Sequence, residues 1–207
     1  MELYEAIAAR RTVRDFEDRP IARDVLKKII EAGLKAPTNN HMREWEFIVI
    51  ENKARRLDVA MVSRDRKTSE AVAIVDQWGL TEGSQREMYI DAIPKQKRML
   101  VETGCLLIPL FRQYEPLLAP GSLSSLNTFA SIWCCIENML LAAASEGIQG
   151  VTRIPFDGEI GYLKETLNVP EGYEIPCYLS LGYPARQQPE IRQHPIDTDA
   201  KIHLDRW

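Results

Sequence analysis

The sequence predicts an α+β fold built from one modest sheet and several helices. Stretches with apolar residues at helical spacing alternate along the chain with short aromatic and β-branched runs. The segment over about 126–146 is apolar almost all round, so it is predicted to be buried in a core or at a subunit interface. The 207 residues, 45% of them apolar, fit one domain better than two.

Two helices and a strand open the predicted order. Apolar spacing predicts helices near residues 2–10 and 22–35, and Pro37 ends the second because it disfavours helical backbone at the residue before it. The aromatic and β-branched run over 45–50 predicts a strand buried on at least one face, and a polar helix follows over about 53–62.

The middle of the chain is predicted to contain two helical pieces followed by a strand. Over about 64–103 the apolar positions are irregular, and we expect two helical pieces because Pro94 interrupts what would otherwise be a long helix. A strand over 105–111 follows, and Pro109 within it predicts an edge strand or a bulge.

The C-terminal half contains the long helix and two further strands. The helix over about 126–146 is predicted to end at Gly147, and a short strand around 148–153 follows. Asp157 is the candidate N-cap of a helix running to about 167, before a strand over 175–181. The last 23 residues lack strong periodicity, so the tail is either disordered or packed on another surface, and Leu204 and Trp207 favour packing.

Charge and cysteine usage disfavour several classes of function. The 26 basic and 30 acidic residues give no general field for nucleic acid or anionic lipid. Neither a signal peptide nor a run of about 18 uncharged apolar residues is recognisable, so no membrane span is expected. The four cysteines have no metal-ligand spacing and are predicted to be reduced thiols of a cytoplasmic protein without a metal site.

The most informative segment is Arg10–Phe16, called the arginine loop below. It places three arginines and a threonine in five positions of an acidic chain. If the segment is extended, Arg10, Thr12 and Arg14 share one face, and two guanidinium groups with a hydroxyl suit a phosphate. On this segment alone, a solvated basic turn is the alternative.

Sequence motifs for several chemistries are missing. The chain has no GxxxxGK[ST], GxGxxG, HExxH or GxSxG pattern. We therefore expect any chemistry to be carried by a bound cofactor, with no catalytic side chain. A DNA-binding module is disfavoured, because about ten residues separate the first two helices where a helix-turn-helix has three or four.

Several segments, taken in order and spacing, resemble a known family. The segments that carry the resemblance are the arginine loop and six that follow it: Ala36–Asn39, Trp45–Val49, Leu140–Ile148, Phe156–Asp157, Leu167–Tyr173 and Leu179–Ala185. Together they resemble the nitroreductase family of FMN-dependent oxidoreductases. The resemblance implies a three-layer fold with one mixed, mostly antiparallel sheet flanked by helices, and a long central helix buried at a dimer interface. It also implies one FMN-binding domain over 1–207, with a variable lid-like region over about 64–125 and a tail over about 185–207 that packs on the core or the partner.

The resemblance also implies a set of cofactor-binding residues. Arg10, Arg11, Thr12 and Arg14 would hold the phosphate and ribityl chain of FMN. Pro37, Thr38, Asn39 and Asn40 would contact FMN across the dimer interface. Backbone groups near Arg153 and Ile154 would face flavin N5 and O4, and Arg192 would meet the phosphate.

This chain departs from the family pattern at three places. The family's usual glycine pair after the buried helix is here replaced by the sequence over 147–150, Gly-Ile-Gln-Gly. His41, Arg43 and Glu44 stand where the family has Asn, Gln and Pro, which puts side-chain contacts from that turn in question. Pro155 aligns with a flavin-facing glycine and has no N–H to donate, so one backbone hydrogen bond to the flavin is expected to be missing or displaced by a residue.

The function that the resemblance implies is an NAD(P)H oxidoreductase. A homodimer with FMN at the subunit interface would pass a hydride from NAD(P)H to a nitroaromatic, quinone or similar electron-poor acceptor by a ping-pong mechanism. Pro155 and the altered turn over residues 41–44 motivate an alternative, a specialised flavoenzyme of the same fold for reductive dehalogenation or oxidation of a bound substrate. A flavin-binding protein without turnover is a further alternative.

Overall fold

The computed structural model describes residues 1–156, 158–187, 189 and 191–207, and its fold is α+β, as the sequence predicts. These residues group into two compact units. The first contains Met1–Asp65 and Lys95–Gln188, and the second contains Arg66–Pro94 and Pro189–Trp207. The predicted lid-like region over about 64–125 is thus divided between the two units, and its role as a lid stays a prediction.

A five-stranded sheet forms the centre of the first unit. Its strands are β1 (Trp45–Ile50), β2 (Cys105–Arg112), β3 (Gln149–Arg153), β4 (Tyr173–Glu174) and β5 (Tyr178–Gly182). The order is β1-β2-β5-β3, and β4 pairs with β2 beside β5. The pairings between these strands are antiparallel, and the parallel element is an isolated bridge between Thr12 and Gly150.

Pro109 does not mark an edge strand, contrary to the prediction from its sequence. It pairs with Phe47 in β1 and lies in β2, which has strand neighbours on both sides. On the other side, β2 pairs with β5 over 105–107 and with β4 over 111–112. Residues 108–110 lie between these two short pairings, and an interior strand tolerates a proline where such a gap leaves one side unpaired.

Helices cover both faces of the sheet and form the second unit. The α-helices of the described residues are α1 (Leu3–Ala9), α2 (Arg23–Gly33), α3 (Lys53–Val59), α4 (Thr68–Gln77), α5 (Gly83–Ala92), α6 (Arg98–Val101), α7 (Asn127–Ser145) and α8 (Glu159–Thr166). Short 3-10 turns lie at Asn39–His41, Ile93–Lys95, Leu123–Leu126 and Asp199–Lys201. The predicted N-cap of α8, Asp157, lies outside the described residues, and Gly158 occupies the N-cap position.

Alternate side chains of β2 enter two different cores. Leu107 and Phe111 pack in a cluster with α2 and α7, whereas Leu106 and Ile108 pack in a second cluster with α6 and α8. This alternation gives the three-layer arrangement, because successive strand residues point to opposite faces of a sheet. Helix α7 lies close to α2 at Gly33, where an added Cβ would come within 2.5 Å of Met139.

Helix α7 is the long apolar helix that the sequence predicts. Its fully buried residues include Ile132, Ile136 and Met139. Among the described residues, Leu123–Ser145 is long and apolar enough to cross a membrane by length and composition, with 33% of its most apolar window buried. A core or interface helix meets the same two criteria, so this is weak evidence for a membrane span.

The second unit contains α4, α5 and the C-terminal tail. The helix break falls first at Gly79, whose φ of 74° ends α4, and Pro94 then lies in a separate 3-10 turn. The sequence predicted the interruption at Pro94 alone. Trp78 packs edge-on against Tyr89, and in the tail Trp207 stacks on His203 while remaining 99% exposed.

Candidate cofactor-binding site

The arginine loop runs beside the start of β3. The Val13 N–H donates to the Gly150 carbonyl at 3.1 Å, next to the parallel bridge at Thr12. The Gln149 side chain adds two hydrogen bonds, since its Oε1 accepts from the Arg11 N–H at 2.8 Å and its Nε2 donates to the Ala9 carbonyl at 3.0 Å. The loop is therefore attached to the sheet by backbone and side chain together.

The far end of the loop is attached to the segment after β5. Phe16 forms an antiparallel bridge with Pro184, and the Glu17 N–H donates to the Tyr183 carbonyl at 2.8 Å. A Cβ on Gly182 would lie 2.7 Å from the Phe16 ring, so glycine permits this close approach. The loop is thus held at one end by β3 and at the other by the segment after β5.

The arginines of the loop have different environments. The Arg11 guanidinium donates to the carbonyls of Ala8 at 2.6 Å and Arg10 at 2.8 Å, at the C-terminal end of α1. A cation there is favourable because the helix dipole leaves partial negative charge at that end. Arg10 lies across from α7, with its Nε 3.4 Å from Oε1 of Glu137. Thr12 is exposed and Arg14 is half-buried.

Two cations surround the acidic residue of the loop. Lys95, 8% exposed, pairs with one oxygen of Asp15, and Arg98 donates to the other at 2.9 Å. The carboxylate is therefore more than balanced by positive charge, and the loop keeps its net basic character. This network also holds Asp15 in place directly after Arg14.

A second candidate segment is the turn over Pro37–Arg43, called the Pro37 turn below. Three of its non-glycine residues have left-handed backbone, with φ of 48° at Asn40, 54° at His41 and 52° at Arg43. Such conformations cost energy and are concentrated at functional sites. The Asn39 N–H donates to Ser131 Oγ at 3.1 Å, which anchors the turn to α7. Within the described residues, the buried Thr38 hydroxyl makes no hydrogen bond.

A small cleft opens beside the Pro37 turn. Its walls include Thr38, Asn39, Arg43, Glu44, Arg112 and Ser131. Glu44 accepts a hydrogen bond from the Tyr114 hydroxyl, and the Arg112 guanidinium donates to the Glu171 carbonyl. The cleft is thus lined by hydroxyl, amide and charged groups.

The third candidate segment lies at the end of β3. The Arg153 side chain turns inward and pairs with Glu159 at 2.8 Å, with side-chain exposures of only 4% and 6%. Ile154 and Phe156, on either side of the buried Pro155, are exposed at 56% and 62%. The structure therefore leaves the backbone of Arg153 and Ile154, and not the Arg153 side chain, for the predicted contact.

The structure places the predicted residues in two groups. The arginine loop, the Pro37 turn and Arg153–Ile154 lie in the first unit, whereas Arg192 lies in the second and pairs with Glu87 at 3.2 Å. The predicted roles of all these residues in cofactor binding stay predictions.

Two residues that face the loop were not predicted from the sequence. Glu137 is the sole charged residue of α7, and a lone charge in an apolar helix is a signal that sequence reasoning can use. Gln149 carries no such signal, because a glutamine at the start of a strand is ordinary.

Two further kinds of side chain bear on the chemistry of the protein, the cysteine thiols and the potential metal ligands. Cys105, Cys135 and Cys177 are buried, and burial raises the pKa of the first two thiols to about 12 and that of Cys177 further. Cys134 is exposed. Among the residues with described positions, no three His, Cys, Asp or Glu side chains are grouped to hold a metal ion.

Comparison with known proteins gives concordant matches. The profile of the Nitroreductase family matches residues 7–183. A Methanothermobacter thermautotrophicus protein, provisionally named NADH dehydrogenase/NAD(P)H nitroreductase, is 27% identical over 215 aligned positions, covering all of this chain and 88% of the relative. Iodotyrosine deiodinase 1 of Sus scrofa is 25% identical over 95% of this chain, which spans 66% of that relative. The crystal structure of iodotyrosine deiodinase bound to FMN and 3-iodo-L-tyrosine superposes with a TM-score of 0.73 at 18% identity, over all of both chains.

Proposed function

Because this chain belongs to the nitroreductase family, we propose that it binds FMN and works as an NAD(P)H oxidoreductase for electron-poor acceptors. The observation that carries the proposal is the arginine loop, a basic segment of an acidic chain that both β3 and the segment after β5 hold in place. FMN supplies the redox chemistry when bound, and the protein supplies binding and orientation.

The donor set of the loop fits a phosphate. The Arg10 guanidinium already faces an anionic group, the Glu137 carboxylate, so its orientation is suitable for an anion. Thr12 presents an exposed hydroxyl, and both Arg10 and Arg14 are partly accessible. Charge-assisted hydrogen bonds from guanidinium groups are among the strongest that proteins make to phosphate.

The end of β3 fits the ring of the cofactor. The five residues of β3 span roughly 13 Å, at about 3.3 Å per residue, from the arginine loop to Arg153. The exposed apolar side chains of Ile154 and Phe156 lie just beyond that end. One strand thus connects a phosphate-type surface to an apolar surface suited to a planar ring, in the order that an elongated FMN molecule requires.

A second copy of the chain is proposed as the partner. Leu3, Tyr4 and Ile7 of α1 are exposed at 62%, 83% and 48%, although α1 packs against the apolar helix α7. Exposed apolar surface of this kind supports an interface between subunits. In such a dimer the strained Pro37 turn would reach the partner's cofactor.

The proposed reaction consumes one NAD(P)H and one proton for each two-electron reduction. With a quinone, NAD(P)H and a proton yield the hydroquinone and NAD(P)+. The two substrates would occupy the same space in turn. Because the cofactor would supply the redox chemistry, no side chain needs to act as nucleophile. Four cysteines without a disulfide support a reducing compartment, and we propose the cytoplasm.

The test begins with the purified protein. We expect a yellow chromophore, and oxidation of NADH or NADPH that depends on an added nitroarene or quinone. A colourless protein that takes up no FMN on incubation would refute the proposal. If FMN binds but no acceptor is reduced, the protein is a flavin-binding protein without turnover.

Reductive dehalogenation is the second candidate function. It is favoured by the similarity to iodotyrosine deiodinase 1 along nearly the whole chain. The reaction would convert an aryl iodide and NAD(P)H into the arene, iodide and NAD(P)+. Iodide release from 3-iodo-L-tyrosine that is much faster than reduction of generic nitroarenes or quinones would favour this candidate over the first.

A further inference from the structure

The carboxylate of Glu159 joins three separate segments of the first unit. Its Oε1 accepts from Arg153 Nη2 at 2.8 Å and from Ser63 Oγ at 2.8 Å, and its Oε2 accepts from the Phe156 N–H at 2.7 Å. The end of β3, the following turn and the loop after α3 are therefore held by one buried group.

The Arg153 guanidinium lies between two aromatic rings. Its Cζ is 4.9 Å from the ring centroid of Phe156 and 4.9 Å from that of Tyr178, while its Nε donates to Gln96 at 2.9 Å. Phe156 is exposed and Tyr178 is fully buried, so the guanidinium makes one cation–π contact at the surface and one in the core.

Stability alone does not explain this arrangement. A buried ion pair loses hydration on both partners, and well-packed apolar residues in its place are often as stable or more so. What the pair adds is geometry, because the hydrogen bonds fix the backbone of the short segment directly after β3. That segment, Ile154–Phe156, is called the ledge below.

The ledge also needs external support because of Pro155. Proline has no N–H, so this residue has no backbone donor with which to hold the turn or a ligand. The Phe156 N–H, the next donor along the chain, is committed to Glu159. The position of the ledge is thus set by the buried side chains of Arg153 and Glu159.

We propose that the buried pair of Arg153 and Glu159 positions the ledge against the flavin ring, and through that position sets cofactor affinity and reduction potential. The inference rests on the proposed function, since it requires FMN to bind with its ring at the end of β3. Neither residue touches the reacting atoms, so both are positioning residues.

The test replaces the pair with apolar residues, Arg153→Met with Glu159→Leu. We expect the FMN-free variant to fold with a lowered melting temperature, because the replacement keeps the volume buried but leaves the Ser63 hydroxyl and the Phe156 N–H without their acceptor. Its FMN dissociation constant should rise about tenfold, since the ledge is no longer preorganised. The visible circular dichroism of bound FMN and its midpoint potential should also change, and a purely structural role would move neither.

A matched control uses another ion pair of the same unit. Lys164 and Glu174 lie 2.7 Å apart at 31% exposure each and join α8 to β4. Lys164→Met with Glu174→Leu should leave the dissociation constant, the dichroism and the potential unchanged. Arg153→Lys, which keeps the charge but loses the planar fork, should give an intermediate dissociation constant.

The outcomes separate this inference from the function on which it rests. If the apolar variant fails to fold, Glu159→Gln carries the test with the same three measurements. If wild type binds FMN and the folded variant matches it in all three, the positioning role is refuted and the proposed function stands. If wild type binds no FMN, both are refuted.

Discussion

The Nε of Arg10 lies 3.4 Å from Oε1 of Glu137, so the arginine loop holds a carboxylate where a phosphate is proposed to bind. The two side chains are 34% and 53% exposed. An ion pair that exposed contributes at most about 1 kcal/mol to folding. Changes at either residue should therefore affect ligand binding more than stability.

Removing a guanidinium should weaken cofactor retention. Arg10→Ala or Arg14→Ala deletes a charge-assisted contact to phosphate, which corresponds to about 1.5–3 kcal/mol, or roughly tenfold or more in the FMN dissociation constant. Fluorescence titration with FMN measures it, and thermal melting of the FMN-free protein serves as the stability check. Arg23→Ala, which removes an exposed arginine paired with Glu51, is the control. Flavin held as tightly as in wild type by either variant would contradict the assignment.

The opposite change should strengthen binding. Glu137→Gln removes the negative charge that competes with the phosphate for Arg10, so the FMN dissociation constant should fall by a few-fold. The effect should diminish at high salt, because salt already screens the interactions of the Glu137 carboxylate with Arg10 and with the phosphate. An unchanged or higher dissociation constant at low salt would show that Glu137 orients Arg10 and does not compete.

Gly150 should tolerate no side chain. An added Cβ would lie 2.7 Å from Leu181 Cδ2 and 2.8 Å from the Ser180 carbonyl, within the sheet. Gly150→Ala should therefore lower the free energy of unfolding by about 1–3 kcal/mol, as overpacking does. Urea denaturation measures the change. Gly161→Ala in α8 is the matched control, because its Cβ meets nothing within 4 Å and alanine should stabilise the helix by about 0.5–1 kcal/mol.

Thiol labelling should distinguish Cys134 from the other three cysteines. Burial raises the pKa of Cys105 and Cys135 to about 12 and keeps Cys177 protonated as well, so these thiols should react only after unfolding. In native dilute protein we expect one fast-reacting thiol, which Cys134→Ser abolishes. Because Cys134 lies on α7, dimerisation through that helix should slow its reaction as the protein concentration rises. Two or more fast thiols would contradict the buried positions.

The Glu159 carboxylate should contribute to acid sensitivity. Burial alone would raise its pKa, but hydrogen bonds from Arg153, the Phe156 N–H and Ser63 outweigh burial and lower it from 4.5. A lowered folded-state pKa gives stability that is present above the ordinary value and is lost as the pH falls through the folded value. Glu159→Gln should therefore be less stable at neutral pH and lose less stability below pH 4.5. The measurement is the free energy of unfolding of both proteins at a series of pH values. If it falls equally in both as the pH drops below 4.5, the effect is excluded.

Much of the fold follows from local pattern. Helices α2 and α7 and strand β1 are where apolar spacing and β-branched runs predict them, because burial of one face requires the matching period. The arginine loop was equally visible, since its charge stands out against an acidic chain.

The features that local sequence pattern does not predict depend on contacts with residues from other segments. Pro109 sits in an interior strand because β4 and β5 leave a gap beside it, which no property of the β2 sequence encodes. Arg153 looks like a polar strand end, yet it is buried because Glu159 and Gln96 arrive from other segments. Glu137 meets Arg10 only because α7 packs against α1.

The Gln149 side chain has a consequence for how the loop moves. Its amide both accepts from the Arg11 N–H and donates to the Ala9 carbonyl, with the polarity of a peptide group in a neighbouring strand. The loop thus pairs with the start of β3, and the amide protons of Arg11 and Val13 should exchange with solvent more slowly than those of an unpaired loop. Fraying at the start of β3 should therefore free the backbone of the loop as well, so the two segments should lose order together.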